Sequence, residues 1–269
     1  MGIYQLTDRI IDPTRYPWGS DAFSSWTPAD ITTALWLDAA DSDTITLDDS
    51  DNVEQWADKS GNGYDATATG SARPLLTASG LSFNGSGQSM LGSGQLFQQY
   101  QDGYGLFEVS SFETTSSRFT FMYGSDSQRR CGMQQWRGDT LFHANTGTNT
   151  DQRYVKSHDA AYMMRSAIYN GQGAGSTERL KCYENAHLHT TGSYRDSIPS
   201  DLGSTMPDQY LLCRRSNASD TTKSIYSELV VLDYTPDEET REKIEGYLAH
   251  KWGLEANLPS DHPYKDNAP

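Results

Sequence analysis

From Ile31 to Asp233 the chain is a succession of short segments of period two, and no helical pattern intervenes before residue 235. GLFEVSSFE (105–113), RFTFMYG (118–124), MMRSAIYN (163–170), ERLKCYEN (178–185) and SIYSELVVLD (224–233) all alternate. Alternation at this period gives a strand two different faces. ALWLD (34–38) and VEQW (53–56) are shorter strand candidates, and LSFNG (81–85) ends at an Asn-Gly turn. Gly, Asn and Ser fill the intervals. Strands at this spacing, with no helices between them, predict a β-sandwich and exclude a chain of βαβ units.

One helix is specified, at 236–251. Thr235 is the expected N-cap with Glu238 as its capping-box partner, and Pro236 occupies the first turn. Ile244, Tyr247, Leu248 and Trp252 make one apolar stripe, and Gly253 supplies the stop. At the other end, residues 1–27 carry Trp18, Phe23 and Trp26 among small polar residues with no period. They read as an extended arm whose aromatic residues need a surface, expected to be another chain. The remainder, 28–269, reads as one sandwich domain, long enough to bury a sizeable core.

Charge and cysteines narrow the function. Lys+Arg 21 against Asp+Glu 36 gives a net charge of -15, which repels nucleic-acid backbones and anionic lipid. No apolar run is long enough to span a bilayer. The start, MGIYQLTDRIIDPTRYPW, has neither a basic nor an apolar signal region. Cys131, Cys182 and Cys213 are too scattered for a disulfide framework or a metal knuckle. Buried free thiols and synthesis in a reducing cytoplasm are expected.

Several segments together resemble a known family. LWLDAADSDTIT, WADKSGNGYDAT, ARP and LSFNGSGQSM follow in order, KCYENAHLHTTGSY matches a central hairpin, and SELVVLDYTPDEETREKIEGYLAHKWGLEANLPSDHPYK matches a closing strand and helix. Over 31–265 the chain resembles the laminin-G-like, concanavalin A-like lectin-glucanase jelly rolls of bacterial and phage proteins. The resemblance implies an antiparallel jelly-roll sandwich closed by a C-terminal helix. Its motifs read as fold-keeping: in DKSGNG, Asp58 and Asn62 bridge a tight loop while Gly61 and Gly63 take positive φ.

Sugar binding calls for an aromatic plate beside polar groups, and Trp136, Arg137, Asp139, His143 and Asn145 fit that description, with Tyr154 and Tyr194 nearby. Strand aromatics are also ordinary core residues. Calcium is the metal reading, at Asp38, Asp41 and Asp43, set against a preferred reading as an exposed acidic turn; no other cofactor is expected. A glycosidase needs two carboxylates on one face. Glu228 and Asp233 have opposite parity, as do Glu108 and Glu113, so no catalysis is expected.

The reading that follows is a non-enzymatic virion structural or decoration protein, made in the host cytoplasm and displayed on a phage particle. Its expected partners are capsid or tail proteins, copies of itself, and host-surface glycan. A carbohydrate-binding adhesion module, extracellular or at a cell surface, is the alternative, and a glycoside hydrolase ranks last.

Overall fold

The computed structural model describes residues 26–97, 103–112, 118–124, 129–136, 139–146, 153–157, 161–203, 208–214 and 221–269. In chain order the strands begin with β1 (Leu35–Asp38), β2 (Ile45–Leu47), β3 (Val53–Trp56), β4 (Ala66–Thr67), β5 (Leu75–Thr77) and β6 (Gly80–Asn84). They continue with β7 (Met90–Ser93), β8 (Gly103–Phe112), β9 (Arg118–Gly124), β10 (Arg129–Trp136), β11 (Asp139–Thr146) and β12 (Arg153–Ser157). The last six are β13 (Met163–Asn170), β14 (Leu180–Glu184), β15 (His187–Leu188), β16 (Ser193–Arg195), β17 (Gln209–Leu212) and β18 (Lys223–Leu232).

They form two antiparallel sheets. One runs β15-β14-β13-β8-β18-β6-β5, with β1 also paired to β18. The other runs β16-β12-β11-β10-β9-β17-β7-β4-β3-β2. This is the all-β sandwich expected from the alternation. A single helical turn, Ser176–Arg179, and the helix Glu238–Lys251 accompany it. ERLKCYEN is therefore helical at its first two residues, not strand throughout.

Alternation sorts side chains into two cores. Tyr104, Leu106, Ala167, Tyr169, Leu229 and Val231 face Phe121, Tyr123, Met133 and Phe142 between the sheets. Phe107, Val109, Met164, Ile168, Val230 and Leu232 face the other way, onto Ile244 and Leu248 of the helix. All three cysteines are free and buried in the inter-sheet core, and burial pushes their thiols up.

The helix start differs from expectation. Its N-cap is Asp237, whose Oδ1 accepts the Thr240 N–H at 2.8 Å. The Thr235 hydroxyl instead donates to the Tyr169 carbonyl at 2.8 Å. Both residue types can cap a helix; a strand carbonyl claims the threonine. Gly246, in the middle of the helix, has a separate reason: a Cβ there would lie 2.5 Å from Tyr264 Cβ. The C-terminal segment crosses the helix at that point.

The DKSGNG loop is built as expected. Asp58 Oδ1 accepts from Trp36 N (3.0 Å) and Ser60 N (2.8 Å), and Oδ2 from Tyr64 N (3.1 Å). Asn62 Nδ2 donates to the carbonyls of Thr33 and Ala34, each at 3.1 Å. Gly61 and Gly63 have φ of 88° and 72°. The loop thus fixes the entry of β1 into its sheet.

Candidate functional site

Of the expected sugar plate, the side chains of Asp139, His143 and Asn145 are described. Trp136 ends β10 and pairs with Asp139 at the start of β11; the Trp136 side chain and Arg137 lie outside the described residues. Asp139, His143 and Asn145 do share a face, as odd positions of one strand. That face is buried at two of them: His143 is 0% exposed and Asn145 4%. The His143 ring sits 5.1 Å from Phe119, and its Nε2 meets Gln134 Oε1 at 2.7 Å. Tyr154 lies on the opposite, inter-sheet side, with Tyr194 packed against that core. His143 and Asn145 are therefore packing residues.

Trp18 and Phe23 of the arm lie outside the described residues. Trp26 packs on its own chain, edge-on to Tyr247 with centroids 6.2 Å apart. The helix-side core supplies apolar surface for this partly buried ring within the chain itself.

The acidic residues near the N-terminus are held by lysines. Asp38 is 3% exposed; Lys251 Nζ lies 2.6 Å from its Oδ1 and Lys59 Nζ 2.8 Å from its Oδ2. Lys59 also reaches Asp41 Oδ2 at 2.7 Å, and Asp41 Oδ1 accepts the Asp43 N–H at 3.2 Å. Asp38, Asp41 and Asp43 thus do not gather around one point. Among the described residues no group of three or more His, Cys, Asp or Glu side chains is arranged to hold a metal. The expected exposed acidic turn is also corrected at Asp38.

The parity test along single strands missed two carboxylate pairs formed across strands. Glu228 lies directly opposite Asp38 in the β1–β18 ladder. It takes hydrogen bonds from Trp36 Nε1 (2.7 Å), Trp252 Nε1 (2.6 Å) and Tyr247 OH (3.2 Å), and an ion pair from Lys251 (2.8 Å). Burial, then the Asp38 charge, pushes the Glu228 carboxyl up. Burial acts on Asp38 in the same direction, but Lys251 and Lys59 overcome it and hold that carboxyl below the usual range.

The second pair, Glu108 and Glu184, flanks Arg165 in the register of β8, β13 and β14. Glu108 is fully buried, and burial raises its carboxyl. Its oxygens accept from Ser110, Thr120 and Tyr226 at 2.7–2.9 Å. Oxygens so occupied, inside a packed interior, satisfy buried polar groups; they are not presented to a substrate.

An open cleft of about 230 Å³ lies at the N-terminal end of the helix. Ile168 and Asn170 of β13, Glu178 of the short turn, Lys181 and Tyr183 of β14, and Thr235 to Glu238 with Arg241 line it. Lys181 and Tyr183 reach it because β14 turns Leu180 and Cys182 into the inter-sheet core and the alternate positions outward. Tyr183 supplies an aromatic wall under the Arg241 guanidinium, whose carbon is 4.7 Å from the ring centroid. Burial raises the Tyr183 phenol, so it keeps its proton near neutrality. Arg241 is shared with Glu245, with Glu242 at 3.1 Å and with Glu238 at 3.6 Å. Glu178 Oε2 accepts the Ala174 N–H at 2.8 Å. The Thr240 hydrogen bond lowers the Asp237 carboxyl. Sequence reasoning missed this site. The alternation of ERLKCYEN was visible, but which face the helix end would meet was not.

No protein-family model matches the chain, and no curated protein matches it. Solved structures do. One is the binding domain of botulinum neurotoxin DC in complex with SialylT, with TM-score 0.59, 10% identity, and coverage of 82% of this chain and 52% of that one. Another is the botulinum neurotoxin serotype D ligand binding domain in complex with N-acetylneuraminic acid, with TM-score 0.55, 8% identity, and coverage of 82% and 50%. A third is of botulinum neurotoxin type C, whose cell entry is dependent upon interaction with two ganglioside molecules, with TM-score 0.54, 10% identity, and coverage of 82% and 53%. The chain spans about half the length of each, and at these identities the likeness establishes the fold. No helix among the described residues is long and apolar enough to cross a membrane.

Proposed function

We propose that the chain is a non-enzymatic, lectin-like module that contacts glycan while displayed on a phage particle as a structural or decoration protein. The cleft at the helix start carries this reading. It combines an aromatic wall at Tyr183 and apolar surface at Ile168 and Pro236 with an amide, carboxylates and an ammonium at its rim. A saccharide needs that combination: apolar contact for its C–H face and convergent polar groups for its hydroxyls. The sandwich fold, shared with domains solved in complex with N-acetylneuraminic acid and with SialylT, supports the same reading by analogy only. The virion setting rests on the laminin-G-like resemblance of the DKSGNG and IEGYLAHKWGL segments. Three buried free thiols are consistent with assembly in a reducing compartment.

Two experiments test the parts separately. The labelled chain applied to a broad glycan array is expected to bind a subset of sugars and to release them unchanged. Binding to none of them overturns the lectin reading, and turnover of a bound glycan overturns the non-enzymatic one. Antibody labelling of purified phage particles is expected to decorate their surface; particles that lack the chain overturn the virion reading.

A further inference from the structure

Away from the cleft, Lys251 Nζ touches two carboxylates at once, 2.6 Å from Asp38 Oδ1 and 2.8 Å from Glu228 Oε2. Lys59 Nζ holds the other Asp38 oxygen at 2.8 Å and lies 4.3 Å from the centre of the Trp36 ring. Lys251 Nζ also donates to the Tyr247 hydroxyl at 2.9 Å, with the Tyr247 and Trp252 ring centres 5.2 and 5.5 Å away. Both carboxylates are buried, Asp38 at 3% exposure and Glu228 at 0%. Charges in such surroundings are costly even when paired. Joining the ammonium to one carboxylate as a neutral amide removes two of them.

We infer that Lys251 and Asp38 condense into an amide (isopeptide) bond between their side chains, with Glu228 as the proton carrier. The Lys251 nitrogen attacks Asp38 Cγ; the C–N bond forms and the Cγ–Oδ1 bond breaks. Glu228 takes one proton from the ammonium and delivers it to the departing oxygen. A second ammonium proton follows, and Oδ1 leaves as water. One ammonium and one carboxylate thus become one amide and one water, with no oxidation or reduction, and Glu228 ends as it began. Lys59 faces Oδ2, where negative charge builds as the nitrogen attacks. Burial, and then the Asp38 charge, raise the Glu228 carboxyl, which makes it a better proton acceptor. Holding the reacting groups in contact supplies the effective concentration that amide formation lacks in dilute solution. The bond ties β1 to the C-terminal end of the helix. The ion-paired arrangement is the unreacted state, and the titration of Asp38 belongs to it. None of this depends on the glycan reading.

Intact mass, measured on the denatured full chain both fresh and after storage of the folded protein, decides. A fraction lighter than the sequence by one water molecule is expected, and it should grow with time. Proteolysis and fragmentation should then yield a branched peptide that joins the segment around Asp38 to the one around Lys251. Lys251→Arg keeps a cation between the carboxylates but removes the nucleophilic amine, and it is expected to retain its full mass. Glu228→Gln, checked for folding by circular dichroism, is expected to form the bond about 10²–10⁴-fold more slowly, the usual worth of a positioned proton carrier. Should that variant not fold, the wild-type mass and the branched peptide still decide, because both are read on the denatured chain. Full mass in every wild-type sample overturns the inference. So does a lost water that fragmentation places elsewhere, or one that persists in Lys251→Arg. Bond formation at an undiminished rate in Glu228→Gln overturns the role given to Glu228.

Discussion

Asp38 and Glu228 face each other across the β1–β18 ladder and share one ammonium, with Lys251 Nζ 2.6 Å from the first carboxylate and 2.8 Å from the second. Two carboxylates this close, in the helix-side core, would repel without that cation. Trp36 and Trp252 close the clasp through their indole N–H groups. Residues from both ends of the domain meet at this point.

Lys251→Met is therefore expected to destabilise the domain by about 3–5 kcal/mol, the cost of leaving buried charge uncompensated. Asp38 keeps Lys59 as its partner, so adding Glu228→Gln removes the carboxylate that the loss of Lys251 leaves without a cation. The double variant should recover part of the loss in urea denaturation. Strictly additive losses would show that the three groups do not act as a unit.

The acidic limb of stability is expected to carry two opposite signs. Asp38 has a folded value below its ordinary 3.8. Its contribution is full above 3.8 and is lost as pH falls through the lower folded value. Asp38→Asn should accordingly be less stable than wild type at neutral pH, by a margin that shrinks in acid below 3.8. Glu108 has a folded value above 4.5. Between 4.5 and that raised value the folded state binds more protons than the unfolded one, so stability falls as pH rises. Glu108→Gln should remove this slope, whatever constant offset it adds. Stability measured across the acid range in the three chains checks both, and slopes of the same sign would contradict the assignment.

At the helix, Leu248→Ala should cost about 2–5 kcal/mol as a large-to-small change in the core. Asp237→Ala should cost about 1 kcal/mol as a lost cap, with Asp237→Asn nearly neutral. Thr235→Ala should also lose about 1 kcal/mol, through its bond to the Tyr169 carbonyl. Rescue by asparagine at 237 is the result that separates a cap from an ordinary hydrogen bond.

Gly246→Ala runs against helix propensity. Alanine should gain about 1 kcal/mol in a helix interior, but overpacking against Tyr264 costs about 1–3 kcal/mol. A net loss is expected, and a chain that also carries Tyr264→Gly, which removes the Cβ 2.5 Å away, should tolerate the alanine. A stabilised single variant would mean that the C-terminal segment is easily displaced.

Trp26→Ala should lower Tm in the isolated chain, because the Trp26–Tyr247 pair contributes about 0.5–1.5 kcal/mol beyond its buried area. An unchanged Tm, with loss of self-association or particle binding, would restore the view that this tryptophan serves another chain.

Much of the sandwich was legible because β3, β9 and β13 are alternating or apolar runs bounded by turn residues; all three begin and end at the positions read from the sequence. The DKSGNG loop was legible for the same reason, since its bonds lie within a few residues or reach β1. The cap was not, because the Tyr169 carbonyl that claims Thr235 is 66 residues away. His143 and Asn145 looked accessible because polar residues alternate in their strand, yet burial of that face depends on packing that alternation does not encode. The carboxylate pairs were hidden by a test confined to one strand. Trp36 and Glu228, 192 positions apart, meet only once the sheet is assembled.

The placement of β18 has a consequence for how the chain is made. Lys223–Leu232 lies between β8 and β6 and also pairs with β1, so one sheet lacks an interior strand until those residues have been made. A nascent chain that has left the ribosome only as far as residue 220 presents β8, β6 and β1 with open edges and uncovered apolar faces, the condition that favours aggregation. The sandwich must close after residues 223–251 have been made, in one event that inserts β18 and lays the helix over it. Its reliance on contacts of long sequence separation makes that event slow.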